Sequence, residues 1–171
     1  MKLRNLKMKD ALLMLEWMHD EELVKFFSTN FKDKELSACE AFIRATADDE
    51  HNRNWAICND EDEYLGTVSL KHIDLKNGNA EYAIAMRKCA LGTGASHYGS
   101  EEVLRIAFEE MALNRVYLNV LEDNVRANKF YEKIGFIYEG TFQEHLYVNG
   151  KYRNLKWFAL TKKDYLARKA K

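Results

Sequence analysis

Two short runs hold the residues whose types and spacing can do chemistry. The first is Leu91-Gly92-Thr93-Gly94-Ala95, set between an alternating run over 80–87 and a helical apolar stripe. A strand that turns through glycines into a helix exposes several backbone N–H groups at the helix N-terminus, where the macrodipole favours negative charge. Gly92 and Gly94 have no Cβ, so an anion such as pyrophosphate can reach the main chain. A plain flexible turn fits the same residues. No Gly-Lys-Ser/Thr follows, which excludes a Walker A loop. Position 97 is His, so the dinucleotide fingerprint is incomplete. The second run is Asn124-Val125-Arg126-Ala127-Asn128-Lys129-Phe130-Tyr131, with Gly135-Phe136 after it. On a helix turning about 100° per residue, Asn124, Ala127 and Tyr131 share a stripe carrying an amide, a small side chain and a phenol. An N-cap before an amphipathic helix would explain Asn124 alone, but not the whole string.

The alternating run adds a third feature. Under a period of two, Ala80, Tyr82, Ile84 and Met86 share one face, while Glu81, Ala83 and Ala85 share the other. One carboxylate beside two alanines leaves room for a ligand, or equally for a packed helix with Glu81 at an exposed strand end.

The elements that must position these residues follow from periodicity. Residues 2–7 read as a strand. Asp10 precedes a helical stripe of Ala11, Leu12, Leu13, Leu15 and Met18, and 21–27 is a second helical piece. Ser37 with Glu40 matches a capping box that opens a helix to about residue 48. Strands over 53–59, 64–73 and 80–87, separated by polar turns, predict an antiparallel meander. A helix over 96–112 presents Val103, Leu104, Ala107, Phe108 and Met111. A strand over 115–121 and a helix over 124–134 come next. Strand-like runs over 136–148 and 151–160 flank Asn149-Gly150, a strong hairpin signal. A last helix begins near Lys162. The fold class is α/β, with a mostly antiparallel sheet interrupted by helical crossovers, and 171 residues suit a single domain spanning 1–171.

Composition removes several functions. The 26 basic and 27 acidic side chains leave a net charge of −1, which disfavours general nucleic-acid binding, so any anion must be held by local geometry. No run of 18 apolar residues exists, and the N-terminus lacks the apolar core of a signal peptide. Cys39, Cys58 and Cys89 are odd in number and lack metal-ligand spacing, so neither a metal site nor a disulfide framework is expected. A reducing, cytoplasmic setting and no membrane partner are the expectation. The sequence leaves a homo-oligomer open.

Taken together, the loop Gly92-Thr93-Gly94 and the string Asn124, Ala127, Tyr131, Gly135 and Phe136 resemble the GNAT superfamily of N-acetyltransferases. Its mark is a Gly-x-Gly pyrophosphate loop followed by Asn-x-x-Ala-x-x-x-Tyr-x-x-x-Gly-Phe. The tail Tyr147-Val148-Asn149-Gly150-Lys151-Tyr152-Arg153 is similar to that of the subgroup holding ribosomal-protein alanine, spermidine and nucleotide-amino-sugar acetyltransferases. The resemblance implies a GNAT-like fold with splayed central strands and acetyl-CoA as co-substrate, with no metal. It also implies that Leu91, Gly92, Thr93, Gly94 and Ala95 hold the pyrophosphate, that Ile84, Ala85 and Met86 contact the pantetheine arm, and that Asn124, Ala127 and Lys129 meet the cofactor. Tyr131 would stand near the sulfur, where a phenol titrating near pH 10 stays protonated and can donate to a thiolate. The family often has Gln or Arg three residues before the first loop glycine. Cys89 stands there instead, with Arg87 and Lys88 just upstream to supply charge. The glutamate that some members carry on the strand before the Asn helix is also absent, since that run reads Leu118-Asn119-Val120.

The implied reaction is direct transfer to a primary amine of a small molecule, a polyamine or an amino sugar. Acetylation of a protein N-terminus, a non-catalytic CoA-binding module and a generic nucleotide binder are the alternatives. An alkylammonium must lose a proton before it attacks a thioester. Glu81 is the first candidate to accept it, against a solvated edge carboxylate, and Glu122, Glu144 and His145 are weaker ones. A backbone N–H of 84–86 would stabilise the thioester oxygen. Glu16, Asp20, Glu21 and Glu22 beside Trp17, His19, Phe26 and Phe27 would suit a cationic amine. Lys151, Arg153 and Lys156 would suit a phosphate instead.

Overall fold

The computed structural model describes residues 1–46 and 49–170. Its strands are β1 (Lys2–Asn5), β2 (Arg53–Cys58), β3 (Tyr64–Asp74), β4 (Asn79–Met86), β5 (Arg115–Leu121), β6 (Ile137–Val148) and β7 (Lys151–Thr161). Its helices are α1 (Ala11–Met18), α2 (Glu21–Val24), α3 (Leu36–Ala45), α4 (Ala95–Arg105), α5 (Val125–Lys133) and α6 (Lys162–Lys169). The strands form one sheet of order β1-β2-β3-β4-β5-β7-β6. Neighbours are antiparallel, as the meander and the Asn149-Gly150 hairpin require, except at β4–β5. That parallel pair has only the rungs Asn79↔Arg115, Ala80↔Val116 and Glu81↔Tyr117. Both strands continue past the last rung, β4 to Met86 and β5 to Leu121, and there they part. The sheet is therefore open at its middle.

Apolar burial covers both faces around this opening. On one face Tyr82, Val116, Leu118, Phe158 and Leu160 pack against Val103, Leu104 and Phe108, with Tyr131, Ile134 and Tyr165 completing the layer. On the other, Met14, Trp17, Cys39 and Ile43 cover Ala56, Cys58 and Tyr64. A smaller cluster joins Leu121, Val148 and Leu155 to Phe26, Leu146 and Trp157. Gly99 lets α4 lie against β2, because an added Cβ would stand 2.3 Å from Ile57 Cδ1.

Several boundaries differ from the sequence expectation. The first strand stops at Asn5, where the chain turns into a 3₁₀ segment over Met8–Asp10. The second helical piece shortens to Glu21–Val24, capped by the Asp20 carboxylate on Glu22 and Leu23 N–H. Ser37 is not a cap: Glu35 takes the extended cap conformation, α3 opens at Leu36, and Ser37 lies inside the first turn. Residues 47 and 48, the expected end of that helix, lie outside the described residues. The long helix after the glycine loop keeps α geometry only to Arg105 and continues as a π turn over Ile106–Glu110. Among the described residues no helix is long and apolar enough to cross a membrane.

Candidate active site

The opening gives main-chain groups to a ligand. Up to Glu81, β4 is bonded on both sides. Beyond it, β4 pairs with β3 alone through Ala83↔Ser69, Ile84↔Val68, Ala85↔Thr67 and Met86↔Gly66. The alternate N–H and C=O groups of Ala83 to Met86 that face β5 thus have no strand partner. Gly66 keeps this edge tight, because a Cβ there would stand 2.5 Å from the Ala85 carbonyl oxygen.

β4 runs through a 3₁₀ turn over Lys88–Ala90 into the glycine loop and α4. Gly92 and Gly94 have φ of 80° and 89°, a region that L side chains rarely adopt, and an added Cβ at either would meet nothing within 4 Å. Thr93 Oγ1 donates to Ala90 O at 2.8 Å and accepts from Ala95 N–H at 3.3 Å, which holds the loop in shape. Gly92 and Gly94 N–H make no backbone hydrogen bond among the described residues, and both glycines are exposed. Leu91 is half-buried and Ala95 buried, anchoring each end. Free N–H groups on glycines at the mouth of a helix fit a pyrophosphate.

Tyr131 and the α5 cap approach from β5. Asn124 Oδ1 accepts Ala127 N–H at 3.2 Å, opening α5 as the string predicts. Asn128, unassigned on sequence, ties the segment before α5 to its first turn. Its Nδ2 donates to Asn124 O at 2.8 Å and Leu121 O at 3.1 Å, and its buried Oδ1 has no protein partner. Lys129 is exposed on the next position of the helix. Tyr131 is 9% exposed and walled by Tyr82, Phe136, Phe158 and Phe130 at ring distances of 5.7–6.4 Å. Burial pushes its phenol up to about 12, with no hydrogen bond contributing. The group is thus a protonated donor whose hydroxyl is not committed to the protein.

Glu81 occupies the last rung before the strands part. Its Oε1 accepts from Asn119 Nδ2 at 3.2 Å, and its Oε2 lies 3.6 Å from His72 Nε2. No Lys or Arg pairs with it among the described residues. Asn119, two residues past the last rung on β5, sits where the family glutamate is absent. Strand register could reveal this pairing only once β4 and β5 were known to be neighbours. Tyr117 and Trp157 line the same face, ring centroids 6.1 Å apart, and the buried Trp157 indole N–H has no protein partner. Glu81 thus faces a half-open surface walled by aromatic rings, on the side of the sheet opposite Tyr82 and Tyr131.

Other candidates are placed elsewhere. Arg87 does not supply charge to the glycine loop. It is 8% exposed, and its guanidinium is spent on Glu16 at 2.8 and 3.1 Å, Glu63 at 2.6 Å and Tyr64 O at 3.0 Å. These bonds fasten α1 to the end of β4. Of the acidic helix residues, Asp20 is engaged as the α2 cap and lies 3.5 Å from Lys88, and Glu22 pairs with Lys25 at 2.6 Å, while Glu21 is exposed. Of the hairpin cations, Arg153 pairs with Asp123, and Lys156 lies 3.9 Å from Glu122, leaving Lys151 exposed. Glu144 and His145 lie on edge strand β6, separated from β4 by β5 and β7. Cys39 and Cys58 are buried, and burial pushes both thiols up, the opposite of nucleophile activation. Among the described residues no group of three or more His, Cys, Asp and Glu could hold a metal.

An open, mostly antiparallel sheet, a glycine loop at the mouth of a helix and a buried phenol free of protein hydrogen bonds suit an acyl-transfer architecture. Residues 1–137 match the acetyltransferase (GNAT) domain family, and the chain belongs to it. It is 26% identical over 168 residues to the N-acetyltransferase p20 of Bacillus licheniformis, covering 95% of this chain and 93% of that protein. It is 28% identical over 120 residues to a spermidine N(1)-acetyltransferase of Vibrio cholerae, covering 70% of this chain and 69% of that protein. The crystal structure of the Vibrio cholerae spermidine N-acetyltransferase in complex with CoA and spermine superposes with a TM-score of 0.88 at 22% identity, over 96% of this chain and 97% of that one.

Proposed function

We propose that this acetyltransferase moves an acetyl group from acetyl-CoA directly to a primary amine of a small molecule, with a polyamine ahead of an amino sugar. One observation carries the acceptor class. Glu81, at the parting of β4 and β5, is bound by an amide and left without a Lys or Arg partner. Of the hairpin cations that would hold a sugar-nucleotide phosphate, Arg153 and Lys156 are instead drawn to Asp123 and Glu122, which leaves Lys151. A half-buried carboxylate beside Tyr117 and Trp157 suits an alkylammonium. The spermidine acetyltransferases among the relatives support the same class.

The co-substrate supplies an activated acetyl thioester. The main chain of Leu91 to Ala95 binds its pyrophosphate, and Ile84 to Met86 offer unpaired N–H and C=O groups to its pantetheine arm. A β4 N–H in this stretch stabilises the thioester oxygen as charge develops. Glu81 takes the ammonium proton from the opposite face, and Tyr131 donates to the departing sulfur. Its raised pKa keeps that proton in place through neutral pH. Thiol release from acetyl-CoA against spermidine, spermine, amino sugars, their nucleotide conjugates and N-terminal peptides tests the reading. Highest kcat/KM with polyamines is expected. Preference for a sugar nucleotide or a peptide would refute the acceptor class.

A further inference from the structure

Glu81 has a neighbour that leads out of the site. His72 Nε2 stands 3.6 Å from Glu81 Oε2, and the His72 side chain is 70% exposed against 21% for Glu81. Catalytic contacts are often this long before substrate arrives. Strand alternation alone would not bring them together. Lys71 pairs across from Glu81 on the same face, so the next residue of a regular strand would point the other way. A register shift between Lys71 and Asp74 breaks the alternation, and His72 takes a left-handed φ of 49°, rare for a residue with a side chain. Neighbouring polar groups maintain the bulge. Asn52 Oδ1 accepts His72 N–H at 3.1 Å, and His51 O accepts Ile73 N–H at 2.9 Å. Asp49 fixes Asn52 through both its N–H and its Nδ2 at 2.9 Å. The outer side of His72 lines a solvent-open hollow of about 490 Å³ with Glu50, His51 and Asp74. The charged and titratable groups around the pair are thus Lys71 on β3, Tyr117 on β5, and Glu50, His51 and Asp74 at the rim.

We propose that His72 is the outlet for the proton that acetyl transfer releases. The proposal rests on Glu81 as proton acceptor. In the balanced step, the C–N bond forms as the C–S bond breaks. Of the three ammonium protons one stays on the amide, one replaces the proton that Tyr131 gives to sulfur, and one passes from Glu81 to His72 and into bulk water. Imidazole suits this task because one ring nitrogen can take a proton while the other releases one.

The test is steady-state thiol release with acetyl-CoA and spermidine in weak buffer, with and without added imidazole. His72→Gly suits the left-handed backbone and leaves space for the added base. His72→Gln provides a second variant that keeps a polar side chain. Both should lower kcat about tenfold with the KM for acetyl-CoA unchanged, and imidazole should restore most of the loss in His72→Gly. Unchanged kcat in both variants, or a loss that imidazole does not reverse, overturns the proposal. Glu81→Gln separates the two ideas. If it abolishes turnover while His72→Gly leaves kcat unchanged, the outlet is wrong and the acceptor role stands. If Glu81→Gln turns over normally, both fail.

Discussion

Gly66 is the position where packing and catalysis are most tightly coupled. A Cβ there would stand 2.5 Å from the Ala85 carbonyl oxygen, 2.5 Å from Met86 Sδ and 3.1 Å from Met86 Cα. The thioether can swing aside, but the carbonyl and Cα belong to the paired strand. Ordinary contact begins at about 3.5 Å, so Gly66→Ala must move β4 away from β3 by about 1 Å near Ala85. Overpacking of this kind costs about 1–3 kcal/mol. At about 2–4 °C per kcal/mol for a chain of this size, Tm should fall by several degrees. The displaced segment is the one assigned to the pantetheine arm, and a misplacement of about 1 Å can cost about 10²-fold in rate. Thermal unfolding and thiol-release kinetics should therefore report a folded enzyme with lower Tm and kcat reduced about 10- to 100-fold. A variant with wild-type Tm would refute the packing argument. Lower Tm with normal kcat and acetyl-CoA affinity would refute the placement of the ligand along β4.

Three further outcomes follow from the same geometry. Gly94→Val should weaken CoA binding at least tenfold by calorimetry, because a branched side chain strains a φ of 89° and obstructs the loop N–H groups. Unchanged affinity would dismiss the loop as the pyrophosphate site. CoA should also bind far more tightly than ATP or NAD, and equal affinities would point to a generic nucleotide binder. Burial raises the phenols of Tyr64, Tyr82 and Tyr131, so the folded state holds protons that the unfolded chain releases near pH 10. Their contribution is full below that pH and is lost as pH rises from about 10 through the raised values, so denaturant midpoints should fall over that range. A midpoint flat in pH above 10 would contradict their burial.

What the sequence made legible was mostly local. Asn149-Gly150 specifies a hairpin within a few residues, the glycine loop announces a strand-to-helix turn, and Asn124 caps α5 as its spacing predicts. The parting of β4 and β5 is less local, because it depends on a three-rung parallel pair whose strands are separated by a whole helix. The family resemblance anticipated it, but the alternation of residues 80–87 could not. Arg87 illustrates the remaining gap. Next to the loop it looked like an anion ligand, yet its partners Glu16 and Glu63 lie 71 and 24 residues away in sequence. Gly66, His72 and Asn119 were missed for the same reason, since each acts through a neighbour on another strand or turn.

The central claim is that the sheet opening delivers an acetyl thioester to an amine beside an uncommitted phenol. Tyr131→Phe removes one hydroxyl and keeps the ring that packs among Tyr82, Phe136 and Phe158. Its kcat with acetyl-CoA and spermidine should fall about 10²-fold or more while CoA affinity and Tm hold. Turnover at the wild-type rate in that variant would remove Tyr131 from the reaction and contradict the account.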